Sequence, residues 1–554
     1  VAMRMLGKQF VTGQTIDEAI QNSLDNEKRG YQYSYDMLGE AALTMEDAAH
    51  YYASYETAIH AIGKASNGRG IKNGPGISVK LSALHPRYSR AQRDRVMGEL
   101  LPSLKQLLML AKSYDIGLNI DAEETDRLEL SSDLIEALAF DPDLTGFDGI
   151  GFVVQAYQKR CPFVLDYLID LAHRSGRKFM VRLVKGAYWD AEIKRAQVDG
   201  MDGYPVYTRK VYTDVSYLTC AQKLLGATDV IYAQFATHNA HTVATIHTWA
   251  TARNVSNYEF QCLHGMGETL YDQVVGANQL GKICRIYAPV GSHVTLLAYL
   301  VRRLLENGAN SSFVNQIVDE GVSIDSLIAD PIDTARALGG VPNANIALPR
   351  DLFGTQVKGS RINSMGMDFS NENTLRELSI HFAHSPQQQW QAAPILGDDS
   401  ISAGQAVAIK NPADHADVVG QVLESTHADV ATALGIADAA SIEWRNTAPK
   451  ERAAALHRAA DALEAHHVEL MTLAVREAGK SLPNAVAEIR EAVDFLRYYG
   501  EQVQSDSHTQ ALGAVVCIAP WNFPLAIFIG EIAASLAAGN SVLAKPAEQT
   551  PLIA

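Results

Sequence analysis

The 554-residue sequence has few cysteines, no excess of basic residues and no long hydrophobic run. Its five cysteines form no C-x-x-C pair, which argues against a disulfide framework or a zinc knuckle and indicates a reducing compartment. The formal net charge of −16 argues against a nucleic-acid surface, because phosphate binding needs a basic face. The longest apolar stretch, 523–538, is interrupted by Gly530 and Glu531, and we find no signal peptide. A soluble cytoplasmic protein is therefore expected.

Short apolar runs alternate with amphipathic stretches through the first 310 residues. Near-continuous apolar strands separated by helices predict an α/β fold whose parallel sheet is covered on both faces. There are eight such runs, at 33–38, 77–84, 118–122, 150–156, 179–184, 230–235, 258–263 and 283–288. Eight is the number that closes a (β/α)8 TIM-like barrel. An open doubly wound sheet is the alternative, but no glycine-rich dinucleotide turn follows the first run, so we predict the barrel.

The rest of the sequence changes character twice. From 341 to 405 the periodicity fades into a stretch rich in glycine, proline, asparagine and glutamine, which predicts a partly ordered linker. Alanine-rich helices follow, at 428–440, 450–464, 467–477 and 484–499. A buried strand at 514–519, a helix and a second strand at 541–544 then form a βαβ pattern, typical of a nucleotide-binding domain. We therefore predict domains over 1–340 and 406–554, joined by the linker.

Polar or charged residues follow at least six of the eight runs, namely Glu40, Lys80, Asp121, Gln155, Arg182 and the 237–239 Thr-His-Asn segment. The carboxyl ends of barrel strands surround one mouth, where barrel enzymes place their chemistry. A solvated charge explains any single one of these residues, but six in register favour a site. Lys80 and Asp121 can form an ion pair in this mouth, either beside a substrate or as a purely structural pair.

The segment 182–189 places two cations, a glycine and two aromatic residues after one strand. Arg182 can approach an anion or the edge of a planar ring, and Gly186 lets a ligand come close to the backbone. A strand that ends in an aromatic-capped loop explains the same residues equally well. His238 has no metal-ligand partner at a useful spacing, so a hydrogen-bonded core residue is the better interpretation and no metal is expected.

Two adjacent arginines, Arg302 and Arg303, lie on a helix predicted over 295–307. Adjacent helix positions diverge by about 100°, so both bind one small anion only if it lies against the side of the helix. In isolation, a surface ion pair between Arg302 and Glu306 is the favoured interpretation, and such pairs contribute little. Alternatively, Glu306 orients a guanidinium for a substrate carboxylate, which the planar fork of arginine suits.

Seven long motifs occur in order, at 35–40, 78–86, 119–124, 182–190, 236–239, 287–291 and 299–310. In these motifs the sequence resembles the proline utilisation A family, the bacterial bifunctional proline dehydrogenases and pyrroline-5-carboxylate dehydrogenases. The resemblance runs from the first residue to the last. It implies a distorted barrel with FAD at its mouth, in agreement with the topology predicted from the apolar runs.

The resemblance implies that Arg302 and Arg303 bind the carboxylate of L-proline and that Tyr287 packs against its ring. Lys80, Asp121, Tyr188 and Leu263 are implied to complete the pocket. The implied FAD shell consists of strand-end and loop residues, namely Gln155, Arg182, Val184, Lys185, Gly186, Ala187, Trp189, Thr208, Lys210, Thr237, His238 and Glu306. The implied reaction is hydride transfer from the ring carbon beside the nitrogen to the flavin.

The resemblance also implies partners outside this sequence. Electrons would pass to a membrane quinone, so a cytoplasmic enzyme that associates peripherally with the inner membrane when reduced is expected. The full-length enzyme is expected to form a homo-oligomer. No nucleic-acid partner is expected through this chain, because the DNA-binding module of some family members would precede Val1.

The region from 406 resembles the N-terminal part of an aldehyde dehydrogenase domain, with NAD as its cofactor. The resemblance implies that Asn522 helps to form an oxyanion hole and that Lys545 and Glu548 hold the NAD ribose. Val1 is not an initiator methionine and the last residues stop in mid-pattern, so both ends are expected to be cut, with the catalytic cysteine beyond the last residue. Cys517 is expected to be buried packing, and no aldehyde oxidation is expected from this chain alone.

Two alternatives to proline oxidation follow from the same residues. A non-catalytic or regulatory barrel scaffold should have lost Arg182, Arg302 or Arg303, yet the sequence retains all three. Oxidation of another cyclic amino acid, such as hydroxyproline, keeps the same site. Tyr287 and Tyr299 would crowd an added hydroxyl group, but the sequence leaves the size of the cavity open.

Overall fold

The structure is a computed structural model that describes residues 10–292, 299, 301–302, 323–354, 360–397, 402–505 and 510–554. The chain divides into two compact units. The first consists of Val1–Ile193 and Pro205–Asn343, and the second of Lys194–Tyr204 and Ala344–Ala554. The boundaries at 340 and 405 stay predictions.

Eight parallel strands close a barrel in the first unit, in the order of the sequence, as predicted. They are β1 (Tyr31–Met37), β2 (Gly76–Val79), β3 (Leu118–Ile120), β4 (Ile150–Gln155), β5 (Phe179–Val184), β6 (Ile231–Ala236), β7 (Tyr258–Leu263) and β8 (Cys284–Val290). Strand β8 closes the barrel by pairing with β1 over their full lengths, from Tyr31 opposite Cys284 to Met37 opposite Val290. The carboxyl ends of all eight strands therefore form one rim.

Helices cover the outside of the barrel and carry most of its apolar core. Among the described residues, the helices of seven or more residues that begin in this unit are α1 (Ile16–Lys28), α2 (Met45–Ser66), α3 (Leu101–Ser113), α4 (Leu128–Ala139), α5 (Cys161–Ser175), α6 (Trp189–Val198), α7 (Lys210–Gly226), α8 (Ala240–Ala252) and α9 (Pro331–Ala337). Helix α2 begins at a capping box, in which Thr44 and Asp47 each bond the other's backbone N–H. Its buried face includes Tyr55, Ile59 and Ile62.

The run at 77–84 is not one strand, contrary to the prediction. Strand β2 ends at Val79, and Leu81–Leu84 forms a short helix after Lys80. The apolar pattern continues because Leu81 and Leu84 are buried as well, although they belong to a different element.

The other short helical turns are Gly70–Asn73, Arg90–Gln92, Arg93–Arg95, Val96–Leu100, Thr125–Arg127, Pro142–Leu144, Glu268–Tyr271, Ile324–Leu327, Pro349–Asp351 and Ser385–Gln387.

The interior of the barrel is unusually polar near the amino ends of β7 and β8. Arg285, which is 1% exposed, donates from Nε to Glu259 Oε1 at 2.7 Å and from Nη2 to Glu259 Oε2 at 3.0 Å. It also donates to the carbonyl oxygen of Gly74 at 2.8 Å. Gln234 and Gln261 donate to the same carboxylate, at 2.9 and 2.7 Å. Glu259 and Arg285 thus form a desolvated pair with further hydrogen bonds, and a buried charge is tolerated only in such a setting.

Within the described part of the chain, five helices of seven or more residues precede the βαβ pattern of the second unit. They are α10 (Glu372–His384), α11 (His427–Asn446), α12 (Pro449–Ala465), α13 (His467–Ala478) and α14 (Leu482–Ser505). The last four match the predicted alanine-rich helices. The unit also contains strands β9 (Trp390–Ala392), β10 (Ala406–Asn411) and β11 (Asp414–Leu423). They form a three-stranded sheet in the order β10-β11-β9. The sequence did not predict these strands, because few of their residues are fully buried and no apolar run marks them.

The predicted βαβ pattern is present as β12 (Ala514–Ile518), α15 (Ala526–Ala537) and β13 (Ser541–Lys545). Strand β12 was predicted to be buried, but Val516 and Ile518 are 56% and 62% exposed. One face of the two-stranded sheet packs on helices and the other is open, which explains the alternation along β12. Cys517 is 4% exposed, in agreement with its predicted role in packing.

The cysteines of the first unit form two buried pairs that their spacing in the sequence does not reveal. Cys161 on α5 and Cys220 on α7 have their Sγ atoms 3.6 Å apart, and those of Cys262 and Cys284 are 3.7 Å apart. All four thiols are free. In the part of the chain that the structure describes, no helix is both long and apolar enough to cross a bilayer.

Candidate active site

Lys80 lies at the centre of an ionic cluster on the rim of the barrel. Its Nζ donates to Asp36 Oδ1 at 2.8 Å, to Tyr287 OH at 3.2 Å and to Asp121 Oδ2 at 3.4 Å. Tyr287 in turn donates its hydroxyl hydrogen to Asp121 Oδ2 at 2.7 Å. Lys80 is only 6% exposed and Asp36 fully buried. The predicted pairing of Lys80 with Asp121 is therefore present, but Asp36 is the closer carboxylate.

Arg182 contributes the second cation of this cluster from strand β5. Its Nη1 donates to Asp121 Oδ1 at 2.8 Å, and its Nη2 donates to Ser78 Oγ at 2.9 Å and Ser34 Oγ at 3.2 Å. The guanidinium carbon lies 5.2 Å from the centre of the Tyr287 ring. Its Nε is buried without a hydrogen-bond partner among the described residues. Two cations and two carboxylates balance, so the formal charge of the group is zero when all four are ionised.

The environment of these side chains shifts their ionisation. Burial and then the Asp121 carboxylate raise the pKa of Tyr287 well above its usual range, so its hydroxyl stays a donor at neutral pH. Burial opposes the charge of Lys80, but Asp36, Tyr287 and Asp121 outweigh it and raise the pKa of the ammonium well above its ordinary value. Burial raises the pKa of the Asp36 carboxyl, and the positive charge of Lys80 counteracts this rise only in part.

Arg302 is held by a residue that the sequence analysis did not single out as its partner. Its two terminal nitrogens donate to Glu40, from Nη1 to Oε1 at 2.6 Å and from Nη2 to Oε2 at 2.8 Å. Its guanidinium carbon lies 5.3 Å from the centre of the Tyr188 ring. Burial opposes ionisation of Glu40, but the bonds from Arg302 prevail and lower its pKa. The surface pair with Glu306 was predicted instead; Glu306 and Arg303 lie outside the described residues.

A second cationic group lies beyond the end of β5, on the predicted cofactor segment. Asp214 bonds both Lys185 Nζ and Lys210 Nζ, the latter at 2.8 Å. These two ammonium groups lower the pKa of Asp214 against the effect of burial. Gly186 has a φ of +136°, and a Cβ there would lie 2.4 Å from the ring of Tyr157. Because of this positive φ and this close contact with Tyr157, only glycine fits at position 186.

Apart from Glu306, which lies outside the described residues, the remaining predicted cofactor residues also lie on the rim or the loops above it. Gln155 Nε2 donates to the carbonyl of Glu123 at 2.8 Å, and Trp189 Nε1 donates to the carbonyl of Tyr207 at 2.7 Å. Thr208 Oγ1 accepts from the backbone of Asn343 at 3.1 Å. The other members are placed by their strands: Val184 ends β5, Ala187 is exposed in the following loop, and Thr237 and His238 follow β6.

His238 is engaged in a structural hydrogen bond, which fits the interpretation that it is not a metal ligand. Its Nε2 accepts from the backbone N–H of Leu263 at 3.0 Å, which fixes the end of β7 against the end of β6. The hydroxyl oxygen of Thr237 accepts from the backbone of Asn239 at 3.2 Å. Leu263 thereby reaches the rim beside Tyr287, with which it is paired across the β7–β8 register.

The predicted residues of the second unit lie at one edge of the β12–β13 sheet. Asn522 is exposed in the turn after β12, and Lys545 is the last residue of β13. Lys545 Nζ lies 3.8 Å from Glu548 Oε2, and both side chains are largely exposed. Carboxyl ends of neighbouring parallel strands are where open α/β sheets bind ligands, so the placement suits a nucleotide.

Sequence analysis missed Asp36, Ser34, Ser78 and Asp214. Ser34 and Asp36 alternate along β1 with fully buried tyrosines, so the run appeared apolar on both faces. The period of two was the available signal, because alternate residues of a barrel strand point inward. Nothing in the sequence connects Asp214 with Lys185, which lies 29 residues earlier.

The residues present fit the FAD that the family resemblance implies. Lys185 and Lys210 offer two cations to an anionic pyrophosphate, and Gly186 leaves room for a close approach to the backbone. The buried Nε of Arg182 points to an acceptor that the described residues do not supply. A flat heterocycle rich in acceptor atoms satisfies that requirement.

Comparison with known proteins agrees with this architecture. Residues 19–316 match the family model described as proline dehydrogenase, and residues 400–554 match the aldehyde dehydrogenase family. The chain is 61% identical to the bifunctional protein PutA of Escherichia coli (strain K12), over the whole of this chain and 43% of that protein. It therefore spans less than half the length of this curated relative.

Solved structures of PutA proteins are similar over nearly the whole chain. A proline utilisation A structure from Bradyrhizobium japonicum has a TM-score of 0.85 at 44% identity, covering 100% of this chain and 54% of that one. The structure from Bdellovibrio bacteriovorus, inactivated by N-propargylglycine, has a TM-score of 0.89 at 29% identity, covering 99% and 59%. The barrel is closed and has a polar rim, and the proline dehydrogenase model matches more than half of the residues of this chain. This chain therefore belongs to the proline dehydrogenase family, in the bifunctional PutA arrangement that adds part of an aldehyde dehydrogenase domain.

Proposed function

We propose that this chain oxidises L-proline to pyrroline-5-carboxylate with FAD as its cofactor. The observation that carries the proposal is the electrically balanced cluster of Lys80, Arg182, Asp36 and Asp121, to which Tyr287 is bonded, on the barrel rim beside Arg302. A polar but neutral wall next to the Arg302 guanidinium suits a small cyclic amino acid whose carboxylate must be bound and whose ring must be held still.

Arg302 is assigned to the substrate carboxylate, together with Arg303. Its guanidinium already makes a bidentate pair with Glu40, which is the geometry that a substrate carboxylate requires. Proline would then exchange one carboxylate partner of Arg302 for another. Tyr188, which lies under the guanidinium, keeps its plane in place.

The other pocket residues orient the ring and exclude water. Tyr287 is fixed by its bond to Asp121 and by the Arg182 charge over its ring, so its position does not depend on the substrate. Leu263 supplies apolar surface on the adjacent strand end. Holding the reacting atoms in line is what such a preorganised wall contributes to the rate.

The FAD shell is assigned to the residues beyond β5 and around the rim. Lys185 and Lys210 would hold the pyrophosphate, Arg182 a ring acceptor atom, and Trp189 a planar part of the cofactor. Gln155, Val184, Gly186, Ala187, Thr208, Thr237, His238 and Glu306 are assigned to the same shell. When bound, FAD accepts the hydride that leaves the substrate carbon.

The later steps are proposed from the family. Electrons would pass to a membrane quinone, with the cytoplasmic enzyme peripheral to the inner membrane when reduced, and the full-length protein would form a homo-oligomer. In the full-length enzyme, the second unit would contribute Asn522, Lys545 and Glu548 to an NAD-dependent aldehyde dehydrogenase site. Their position at one sheet edge supports that assignment.

A substrate comparison with the purified chain tests the proposal against hydroxyproline and against a non-catalytic scaffold. With an artificial electron acceptor, kcat/KM for L-proline is expected to exceed that for trans-4-hydroxy-L-proline by roughly tenfold to a hundredfold, because an added hydroxyl must fit beside Tyr287. A higher kcat/KM for hydroxyproline would support the alternative substrate. No turnover of either amino acid by flavin-loaded protein would support the scaffold.

A further inference from the structure

Asp36 is the principal counter-ion of Lys80. It is the last residue but one of β1, and none of its side chain is exposed. Its Oδ1 lies 2.8 Å from Lys80 Nζ, whereas Asp121 Oδ2 lies 3.4 Å away. Asp36 is therefore the carboxylate that determines where the ammonium group rests.

The position of Lys80 in turn determines the arrangement of Asp121 and Tyr287. The acceptors Asp36, Asp121 and Tyr287 account for the three hydrogens of the ammonium group. Tyr287 and Lys80 donate to the same oxygen of Asp121. Without the charge of Asp36, the ammonium would be drawn towards Asp121 and would compete with the Tyr287 hydroxyl for that oxygen.

The second oxygen of Asp36 is an independent sign that this side chain does not serve stability alone. Asp36 Oδ2 is buried and makes no hydrogen bond to any residue within the described ranges. A buried carboxylate oxygen without a partner opposes folding, and such groups in native proteins concentrate where a function needs them. Asparagine at this position would remove the charge at little change in shape.

We infer that Asp36 is a positioning residue for the oxidation of proline: by anchoring the ammonium group of Lys80, it holds the Tyr287 hydroxyl and the Asp121 carboxylate in place. It acts through Lys80 and is not assigned any contact with the substrate. The inference rests on the function proposed above.

The charge of Lys80 depends on the groups that face it from several elements. Burial alone would lower the pKa of Lys80, and the charge of Asp36 is the strongest influence that raises it. With Asp36 neutral, the pKa of Lys80 falls, and the ammonium loses its proton at a lower pH than in the natural chain. The facing groups are Asp36 from β1, Tyr55 from α2, Asp121 after β3, Arg182 through Asp121, Tyr287 from β8 and, at longer range, Glu40.

The test compares Asp36→Asn with Glu259→Gln. Both changes neutralise a fully buried carboxylate that is paired with a buried cation, but Glu259 lies at the amino end of β7, away from the rim. The readout is the Kd, by calorimetry, of a proline analogue with oxygen in place of the ring nitrogen. From about pH 6.5 to about pH 9, the natural chain and Glu259→Gln are expected to show nearly constant Kd, because Lys80 stays charged. Asp36→Asn is expected to lose roughly tenfold in affinity over this range.

Proline-dependent reduction of the bound flavin provides the second readout. Asp36→Asn is expected to reduce flavin roughly tenfold to a hundredfold more slowly than the natural chain at the same flavin content, since a displacement of about 1 Å has an effect of that size. In a Lys80→Met background, the same change is expected to have little further effect, because Asp36 acts through Lys80. Equal and additive effects in the two backgrounds would overturn the inference.

The outcomes separate the inference from the function on which it rests. If the natural chain neither binds the analogue nor reacts with proline, the proposed function fails. If it does both and Asp36→Asn keeps a constant Kd and a normal rate, only the role of Asp36 fails. Should Asp36→Asn not fold, Asp36→Glu, which keeps the charge, is expected to retain the constant Kd with a slower rate. A pH-dependent Kd in Asp36→Glu would also contradict the inference.

Discussion

Replacing Arg285 with methionine is expected to destabilise the barrel by about 3–5 kcal/mol, because it leaves the carboxylate of Glu259 buried and without its cation. Glu259 is completely buried, and among the described residues only the neutral amides of Gln234 and Gln261 and the phenol of Tyr232 would remain to bond it. The four described hydrogen bonds from Arg285 to backbone carbonyls of neighbouring segments would be lost as well.

Urea unfolding, with hydrogen exchange in peptides from β7 and β8 as the probe, measures the effect on the free energy of unfolding in the barrel alone. Arg174→Met is the matched control, since Arg174 pairs with Asp170 and Glu136 on the exposed surface of the same unit. Its loss is expected to leave the free energy of unfolding nearly unchanged, because exposed ion pairs contribute little. The double variant Arg285→Met with Glu259→Gln should recover part of the stability. An Arg285→Met variant as stable as the control would refute the importance of this pair.

Arg302→Met is expected to raise the KM for proline by about a hundredfold to a thousandfold, while the bound flavin is retained. Two charge-assisted hydrogen bonds are worth roughly 3–4 kcal/mol together, and each 1.4 kcal/mol is a factor of about ten. The site would lose its bidentate donor, and Glu40 would remain as an unpaired carboxylate near the substrate carboxylate.

Steady-state kinetics at saturating electron acceptor, with flavin content measured by absorbance, tests this prediction. Arg302→Lys keeps the positive charge but not the planar fork, so its KM is expected to lie between those of the natural chain and of Arg302→Met. Loss of flavin with an unchanged KM would mean that Arg302 holds the cofactor and not the substrate.

The barrel was predictable because its strands are buried on both faces. Each of the eight apolar runs corresponds to a strand, and the one marked error, at 77–84, arose where a buried helix continues the apolar pattern after Lys80. The strands of the second unit, such as β10 and β11, bury few of their residues completely and left no comparable signal. Burial, more than strand propensity, is what the sequence reveals.

The rim was predictable as a set of residues but not as a set of partners. Lys80, Asp121 and Arg182 follow their strands directly, so the topology alone brings them together. The pairing of Arg302 with Glu40 joins residues 262 apart, so the tertiary fold and not local spacing determines it. The sequence favoured Glu306 for Arg302 because only local spacing is visible there.

Asp36 illustrates the same limit within one strand. It lies in the 35–40 motif, but it was not distinguished from its tyrosine neighbours until the register placed it beside Lys80. An acidic residue is costly to bury, so an aspartate within a buried strand needs an explanation. A comparison of alternate residues along β1 would have distinguished Asp36 on this ground.

The most direct test of the account is an anaerobic visible spectrum of the purified chain, before and after addition of L-proline. A flavin band at about 450 nm that bleaches on addition of proline is the predicted result, because the bound cofactor then receives the substrate's hydride. A flavin band that ignores proline but bleaches with dithionite would contradict the proposed substrate, even though the barrel would still hold its cofactor.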